Sequence, residues 1–437
     1  MNLIFLAGIL GALVLIIFLA LRGYSILIIG PICALLVILT NQMDVFSALI
    51  TGPSSYMEGV GSFIKNYFLI FLVGSILAKY MEESGAARSI ANGTLKLTGT
   101  DEPYKVLVAI LIISSLLTYG GVSLYVAMFA IIPLSRPLFR ELDIPWHLIM
   151  IPLTAGMATF TMTMAPGTPS IQNAIPTTSL GTTLMAAPLV GIIGSVVVIA
   201  FSLWYMNIEL KKAKKADEHY IVSDADAQNV KIDNLPSVGI SVLPLLVLIT
   251  VIIFGSAMKI PNIILIALLI SIIIAAVVFN KYISKHTATL NAGASGAVSP
   301  TFLTAAAVGF GIVIAAAPGF QIISKLILSI PGSPLISLSV SSGLMSAVTG
   351  SSSGSLGIVM GAFSKTYLAQ GVDPELIHRI ASMASGPLSA MPHSGAVLAL
   401  LALTGLNHKQ AYRHIFVTVL LGGLIALFAA LITAIIL

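Results

Sequence analysis

The stretch FTMTMAPGTPSIQNAIPT, residues 160–177, places polar residues where hydropathy predicts the middle of a membrane. Three prolines, a glycine and the side chains of Thr, Ser, Gln and Asn interrupt an apolar run from 147 to 178. Backbone that leaves helical geometry at this depth exposes N–H and C=O groups, each costing several kcal/mol if unpaired. Such a break is tolerated only where it is buried in protein or lines a wet cavity.

The composition indicates that lipid surrounds most of the chain. Of 437 residues, 57% are hydrophobic and 8% are charged, whereas a soluble domain has roughly a quarter of its residues charged. Repeated apolar runs of about 18 residues or more predict an all-α polytopic membrane protein. The net charge of +5 comes from basic residues in short loops between spans, which indicates orientation rather than nucleic-acid binding. The single cysteine gives no disulfide within the chain, and no metal or cofactor is expected.

The predicted spans form two halves separated by one long hydrophilic segment. We expect a first repeat at 1–208, a cytoplasmic linker at 209–237 and a second repeat at 238–437. In the first repeat, scaffold spans occupy about 1–100, and an interrupted hairpin and a broken helix occupy about 104–180. In the second, the corresponding hairpin lies at about 334–366 and the broken helix at about 375–405. Further spans are predicted at 3–21, 24–40, 63–82, 185–207, 238–256, 261–279, 300–318 and 415–437, with a short amphipathic piece near 319–330.

Four polar interruptions recur in the same order in the two halves. They read TYGGVS (118–123) and the opening motif in the first half, then TGSSSGS (349–355) and SAMPHSG (389–395) in the second. Gly120 precedes Pro145 by nearly the same distance as Gly350 precedes Pro374. The chain therefore carries a weak internal repeat.

Charge and length together predict the topology. The arms of each interrupted hairpin have about 14 residues, too few for two full spans, so we expect a re-entrant hairpin. Each half then has about five transmembrane helices plus one hairpin, and the odd number makes the two repeats inverted. With both termini outside and the 209–237 loop cytoplasmic, only five of the 21 lysines and arginines fall outside: Lys65, Lys259, Lys325, Lys365 and Arg379. This asymmetry supports the orientation in a bacterial-type plasma (inner) membrane.

The polar interruptions are the predicted substrate site. Broken helices in inverted repeats form the midplane binding sites of secondary transporters. None of the four interruptions contains Lys, Arg, Asp or Glu, but an anion can bind at the free N–H groups of half-helix N-termini. We therefore expect a small neutral or anionic substrate. The predicted substrate-binding residues are Gly120, Gly121, Ser123, Gly167, Thr168, Ser170, Gln172, Asn173, Gly350, Ser351, Ser352, Ser353, His393 and Ser394.

His393 is the candidate proton-coupling group, because it alone in these interruptions titrates near neutral pH. The alternative is that His393 only makes a structural hydrogen bond to a backbone carbonyl beside Pro392. In that case, sodium held by backbone carbonyls would be the coupling ion. GSSSG with His393 resembles the Ser–His pair of an intramembrane hydrolase, but no orienting carboxylate is evident. A channel would more typically carry rings of charge. A carrier rather than an enzyme is the prediction.

Three stretches resemble the gluconate permease family of the ion transporter superfamily, over nearly the whole chain. They are YGGVSLYVAMFAIIPLSRPLFRELDIP (119–145), FTMTMAPGTPSIQNAIPTTSLGTT (160–183) and MPHSGAVLALLALTGLNHKQAY (391–412). The resemblance implies a secondary symporter for small hydroxylated monocarboxylates, usually proton-coupled. It also implies a homodimer in which a transport domain moves against a scaffold as an elevator.

Within that family, the first broken helix is most similar to the 3-hydroxybutyrate permease branch. It reads MAPGTPSIQN where gluconate carriers have a Pro-Pro-His-Pro-Gly-Pro string, and Ser394 stands where many relatives have Asn. The expected function is therefore proton-driven import of a short hydroxy-monocarboxylate such as 3-hydroxybutyrate. Gluconate or another organic anion, with sodium as the coupling ion, is the alternative.

Overall fold

The computed structural model describes residues 2–22, 24–98, 102–122, 124–221, 235–258, 260–392 and 394–436. Within these ranges the chain folds into α-helices joined by short turns, without a β-strand. This confirms the predicted all-helical class.

The described part of the first half contains ten α-helices. They are α1 (Asn2–Leu21), α2 (Ile26–Thr40), α3 (Tyr56–Glu83), α4 (Ala86–Thr98), α5 (Pro103–Tyr119), α6 (Leu124–Glu141), α7 (Met150–Ala158), α8 (Phe160–Thr163), α9 (Ile171–Leu180) and α10 (Pro188–Lys215). A π-helical turn at Ser47–Thr51 precedes α3, and a 3-10 turn at Trp146–Ile149 leads into α7.

The second half contains a further ten described α-helices in a similar order. They are α11 (Val238–Ala257), α12 (Ile263–Val278), α13 (His286–Ala316), α14 (Phe320–Leu328), α15 (Pro334–Thr349), α16 (Ser352–Ala369), α17 (Pro374–Ser385), α18 (Gly395–Thr404), α19 (His408–Ile415) and α20 (Gly422–Ile436). A 3-10 turn at Pro387–Ala390 follows α17, and a π-helical turn at Phe416–Leu421 joins α19 to α20.

Several helices suit a lipid bilayer. By length and composition, four helical segments of the described chain can cross a membrane: Ser47–Glu83, Pro188–Lys215, His286–Ala316 and His408–Ile436. Six shorter apolar segments accompany them: Leu3–Leu19, Ile26–Thr40, Pro103–Tyr119, Val238–Ile252, Ile263–Val278 and Pro334–Ala347. Together these helices identify a multi-pass membrane protein.

Glycines form the turns between the arms of each interrupted hairpin. Helix α5 ends at Tyr119, and Gly121 follows with φ +85°. Helix α15 ends at Thr349, and Gly350 follows with φ +59°. Residues with a Cβ are disfavoured in this left-handed region, so glycine allows the chain to reverse within a few residues.

The central packing of the molecule joins the two halves through α3 and α13, which make the most extensive helix–helix contact. A Cβ added to Gly59 would lie 2.7 Å from Gly309 Cα, and one added to Gly309 would lie 2.7 Å from the Tyr56 carbonyl oxygen. The two backbones therefore touch, as is common where small residues line a membrane interface.

Replacing Gly309 by Ala should destabilise the protein by about 1–3 kcal/mol, because backbone atoms on α3 cannot move aside like the end of a side chain. Gly61→Ala is the matched control, since a Cβ at Gly61 meets nothing within 4 Å. The measurement is the melting temperature of both purified variants in one detergent. Equal melting temperatures would contradict the close contact.

Several helices differ from the sequence prediction. Helix α4 was not predicted, α10 continues to Lys215 into the predicted linker, and α13 begins at His286 instead of near 300. The early part of α13 is rich in Thr, Ala, Gly and Ser, so its hydropathy is low. Its small residues nevertheless let it pack on α3, where a Cβ added to Gly293 would lie 2.7 Å from Ile76 Cα.

The beginning of the linker docks on the connection between α6 and α7, outside the membrane-spanning helices. Asp143 accepts a hydrogen bond from the Tyr220 backbone N–H at 2.9 Å and pairs with the His219 imidazole. The Tyr220 ring lies edge-on to Trp146, with 6.2 Å between ring centroids. The His219 hydrogen bond lowers the pKa of Asp143, and the same bond raises the pKa of His219.

This docking should weaken as the pH rises. Both groups are charged at any pH between the lowered pKa of Asp143 and the raised pKa of His219. The pair is lost when the pH rises through the pKa of His219, which lies above the ordinary histidine pKa of about 6.5. In a Trp204→Phe variant, Trp146 is the remaining tryptophan, and its emission should shift to the red across that transition. Adding Asp143→Asn should abolish the shift, and a shift that survives Asp143→Asn would have another cause.

Candidate functional site

The helix breaks of one half are paired with the hairpin of the other half. The N-terminus of α9, in the first broken helix, packs against α16 of the second hairpin. Helix α18, in the second broken helix, packs against α6 of the first hairpin. Four helix N-termini therefore converge in two pairs, each pair contributed by both halves.

A serine directly precedes each of these four helices. Ser170 Oγ accepts a hydrogen bond from the Asn173 N–H at 3.2 Å, and Ser351 Oγ accepts one from the Gly354 N–H at 3.2 Å. Ser394 precedes α18, and Ser123 precedes α6 but lies outside the described residues. Serine at this position satisfies one of the N–H groups left free in the first helical turn.

A cavity of ≈ 980 Å³ lies between the two pairs of helix N-termini. Eight of the predicted site residues line it: Gly121, Ser170, Gln172, Gly350, Ser351, Ser352, Ser353 and Ser394. The structure thus brings residues from all four interruptions to one space.

Other predicted residues lie behind the cavity wall. Thr168 and Asn173 are both 0% exposed; Thr168 Oγ1 donates to the Thr161 carbonyl at 2.7 Å. Gly167 has φ +80°, and its N–H donates to the Leu184 carbonyl at 3.0 Å. These three residues shape the first break. Gly120 caps the end of α5, and His393, the candidate proton-coupling group, lies outside the described residues.

The cavity is polar where α9 meets α16. Gln172 Nε2–H donates to Ser352 Oγ at 2.8 Å, which joins the first broken helix to the second hairpin. Ser351 and Ser353 place their Oγ atoms 3.2 Å apart beside this contact. We call this the polar end, defined by Ser170, Gln172 and Ser351–Ser353.

The opposite end, where α6 meets α18, has apolar side chains in the first helical turns. Leu124 begins α6, and Ala396 and Val397 follow Gly395 in α18; all line the cavity. Met128 and Leu400, one turn further along, line it as well. We call this the apolar end. Ser394 directly precedes α18 and also lines the cavity, so this end is less polar than the α9–α16 end but keeps one hydroxyl.

The first hairpin, through the end of α5, also donates hydrogen bonds to the break between α8 and α9. The Tyr119 hydroxyl donates to the Pro166 carbonyl at 2.9 Å, and Thr118 Oγ1 donates to Thr161 Oγ1 at 2.9 Å. The carbonyl freed by the break therefore has a partner inside the protein, as membrane burial requires.

Sequence reasoning missed two residues on α17, His378 and Arg379. Arg379 is 0% exposed; its Nε and Nη2 donate to the carbonyls of Ala186 and Leu184 at 2.9 and 3.0 Å. Arg379 was counted among the predicted outside charges; in the structure its guanidinium is enclosed by the connection between α9 and α10. The available signal was a His–Arg pair within the run at 375–405, since ionisable residues inside membrane segments are rare and usually functional.

The described residues contain no group of three or more His, Cys, Asp or Glu that could hold a metal ion. The polar end itself offers hydroxyls, one amide and backbone N–H groups, and Lys79 and Glu82 of α3, which form an ion pair at 3.2 Å, also line the cavity.

Comparison with known proteins gives a consistent class. The sequence profile of the C4-dicarboxylate anaerobic carrier family, DcuC, matches residues 23–436. The chain is 36% identical to the "Uncharacterized transporter YxjC" of Bacillus subtilis (strain 168), covering 94% of each protein. It is also 32% identical to a "Gluconate permease" of Zymomonas mobilis, over 27% of this chain and 26% of that protein. These matches confirm an organic-acid carrier; the gluconate permease family and its 3-hydroxybutyrate permease branch stay predictions.

Proposed function

The chain belongs to the C4-dicarboxylate anaerobic carrier family, and on that premise we propose that it is a secondary active transporter importing a small hydroxy-monocarboxylate. 3-Hydroxybutyrate is the acid that we expect. The observation that carries this choice is the difference between the polar and the apolar end of the cavity.

The polar end offers a place for one carboxylate. Two helix N-termini converge there, each contributing free N–H groups and the positive end of a helix dipole. Ser352 and Ser353 add hydroxyls, and Gln172 adds an amide. An anion can thus be bound without a contacting cation, as in other broken-helix carriers.

The apolar end favours a hydrocarbon group over a second carboxylate. A C4-dicarboxylate, the substrate class in the family's description, carries an anionic group at each end. In this cavity the second group would face the apolar side chains of Leu124, Val397 and Leu400. The Ser394 hydroxyl at the start of α18 offers fewer hydrogen bonds than the groups of the polar end, so this carboxylate would be compensated less for the loss of water. A C4-dicarboxylate is the second candidate, because the family profile favours it. Gluconate, with a hydroxyl on nearly every carbon, fits the apolar end least.

The mechanism that we propose is an elevator-type symport by a homodimer of two inverted repeats. The matching order of helices, hairpins and breaks in the two halves supports the repeats. The distribution of basic residues supports termini outside and a cytoplasmic 209–237 linker in a bacterial-type inner membrane. His393 would carry the coupling proton; sodium bound by carbonyls near the breaks is the alternative.

Uptake into liposomes tests this function. Purified protein is reconstituted, and labelled 3-hydroxybutyrate uptake is measured with an inward proton gradient, with an inward sodium gradient and with neither. Unlabelled succinate and gluconate serve as competitors. Proton-driven accumulation that gluconate and succinate inhibit weakly is the expected result. Strong inhibition by succinate would indicate that the substrate is a dicarboxylate. Absence of accumulation of labelled 3-hydroxybutyrate, and of labelled succinate and gluconate in its place, would refute the function.

A further inference from the structure

His378 on α17 is buried against the break in the first half of the chain. Its side chain is 0% exposed, with Nε2 2.9 Å from Asn173 Oδ1 and Nδ1 2.7 Å from Thr182 Oγ1. Asn173 is itself 0% exposed and belongs to the first turn of α9, next to Gln172. A residue of the second half thus reaches the helix that forms the polar end.

The hydrogen bonds around Asn173 fix the direction of each donor. Asn173 Nδ2 donates both hydrogens, to the Thr168 and Leu184 carbonyls, each at 2.9 Å. Its Oδ1 must therefore accept, so His378 Nε2 carries the hydrogen of the neutral ring. His378 Nδ1 then accepts from the Thr182 hydroxyl. The imidazole N–H of His378 thus connects α17 to the side-chain amide of Asn173, which is hydrogen-bonded to the backbone before and after α9.

The second half of the molecule provides an internal comparison. Pro374 begins α17 and Pro145 precedes α7 at the equivalent place, so Ile149 corresponds to His378. Asn173 is the third residue of α9, and Val397 is the third residue of α18. Ile149 and Val397 are buried in the same hydrophobic cluster. The equivalent positions of the other break thus carry buried apolar residues, whereas the His378–Asn173 pair is polar, and a buried polar pair is costly unless fully hydrogen-bonded.

We propose that His378 is a positioning residue for substrate binding. By donating to Asn173 it orients the first turn of α9, and that turn presents Gln172 and its backbone N–H groups to the cavity. His378 does not line the cavity and acts through Asn173. The inference rests on the proposed function, because the polar end is taken to bind the carboxylate.

Two replacements of His378 separate the roles of its nitrogens. A glutamine amide reaches the position of Nε2 and can still donate to Asn173, whereas an asparagine amide reaches only the position of Nδ1. We expect His378→Gln to change the KM of uptake by less than about 3-fold and His378→Asn to raise it about 10-fold, with similar maximal rates. Equal KM values for the two variants would overturn the proposal.

A double-mutant cycle tests whether His378 acts through Asn173. In an Asn173→Ala background, His378→Asn should cause no further rise in KM, since the contact is already lost. Additive effects would overturn the proposal. The same cycle on melting temperature in detergent needs no transport. If the wild type takes up no acid, the proposed function and the substrate-positioning role both fail, while coupled melting temperatures would still establish the His378–Asn173 contact.

Discussion

Replacing Arg379 by alanine should abolish transport and destabilise the protein by about 3 kcal/mol or more. The guanidinium is fully buried and donates two hydrogen bonds to the connection between α9 and α10. Its loss leaves the Ala186 carbonyl without this donor and creates a cavity beside Gly191. A Cβ added to Gly191 would lie 3.3 Å from the Arg379 side chain, so the two residues are close neighbours. Hydrogen bonds to a charged donor contribute about 1.5–3 kcal/mol each.

The measurement is the melting temperature in detergent, together with uptake into liposomes. Arg413→Ala is the matched control: its side chain is 65% exposed and pairs with Glu209, so its loss should cost at most about 1 kcal/mol. Arg379→Lys should fall between the two, because a lysine keeps the charge but cannot reproduce the guanidinium geometry. If the Arg379→Ala and Arg413→Ala proteins had the same melting temperature, the buried guanidinium would contribute little to stability.

Replacing Gln172 or Ser352 by alanine should raise the KM of uptake about 10- to 100-fold, with little change in melting temperature. Both side chains line the polar end and bond to each other at 2.8 Å. Each variant removes a hydrogen-bonding group that we place against the carboxylate. Because the two groups act together, the double variant should be less impaired than the product of the single effects.

Ser329→Ala is the control for these variants, since Ser329 is exposed at the end of α14, away from the cavity. Its kinetics should match the wild type. If Gln172→Ala and Ser352→Ala also matched the wild type, the carboxylate would not bind at the polar end. A lower maximal rate with unchanged KM would instead assign the Gln172–Ser352 contact to the conformational change.

The positions of the helix breaks could be predicted because their cause is local. Pro166, Gly167 and Pro169 fall in one apolar run, and Gly350 is followed by three serines in another. Proline and glycine that cluster in such a run favour the end of a helix, whereas single prolines such as Pro31 and Pro244 lie inside helices. The structure accordingly has non-helical backbone between α8 and α9 and a turn at Gly350.

The residues behind the cavity could not be assigned from the sequence, because their partners are distant along the chain or lie in the other half. Asn173 has the same chemistry as a substrate ligand, and only its contacts with His378 and Leu184 place it in the interior. Arg379 was counted among the outside charges, and its burial could not be predicted for the same reason: hydropathy describes a segment but not the carbonyls that it will contact. The pairing of α9 with α16 has no signature along the chain.

The exchange of partners between the halves bears on how the protein is made. When the ribosome has completed α10, the polar break before α9 is already synthesised, but α16 and α17, which pack against it, are not. The hydrogen bonds from His378 and Arg379 to this region must wait for the C-terminal half. The first half therefore enters the bilayer with an incomplete interior, and the binding cavity is assembled only late in biogenesis.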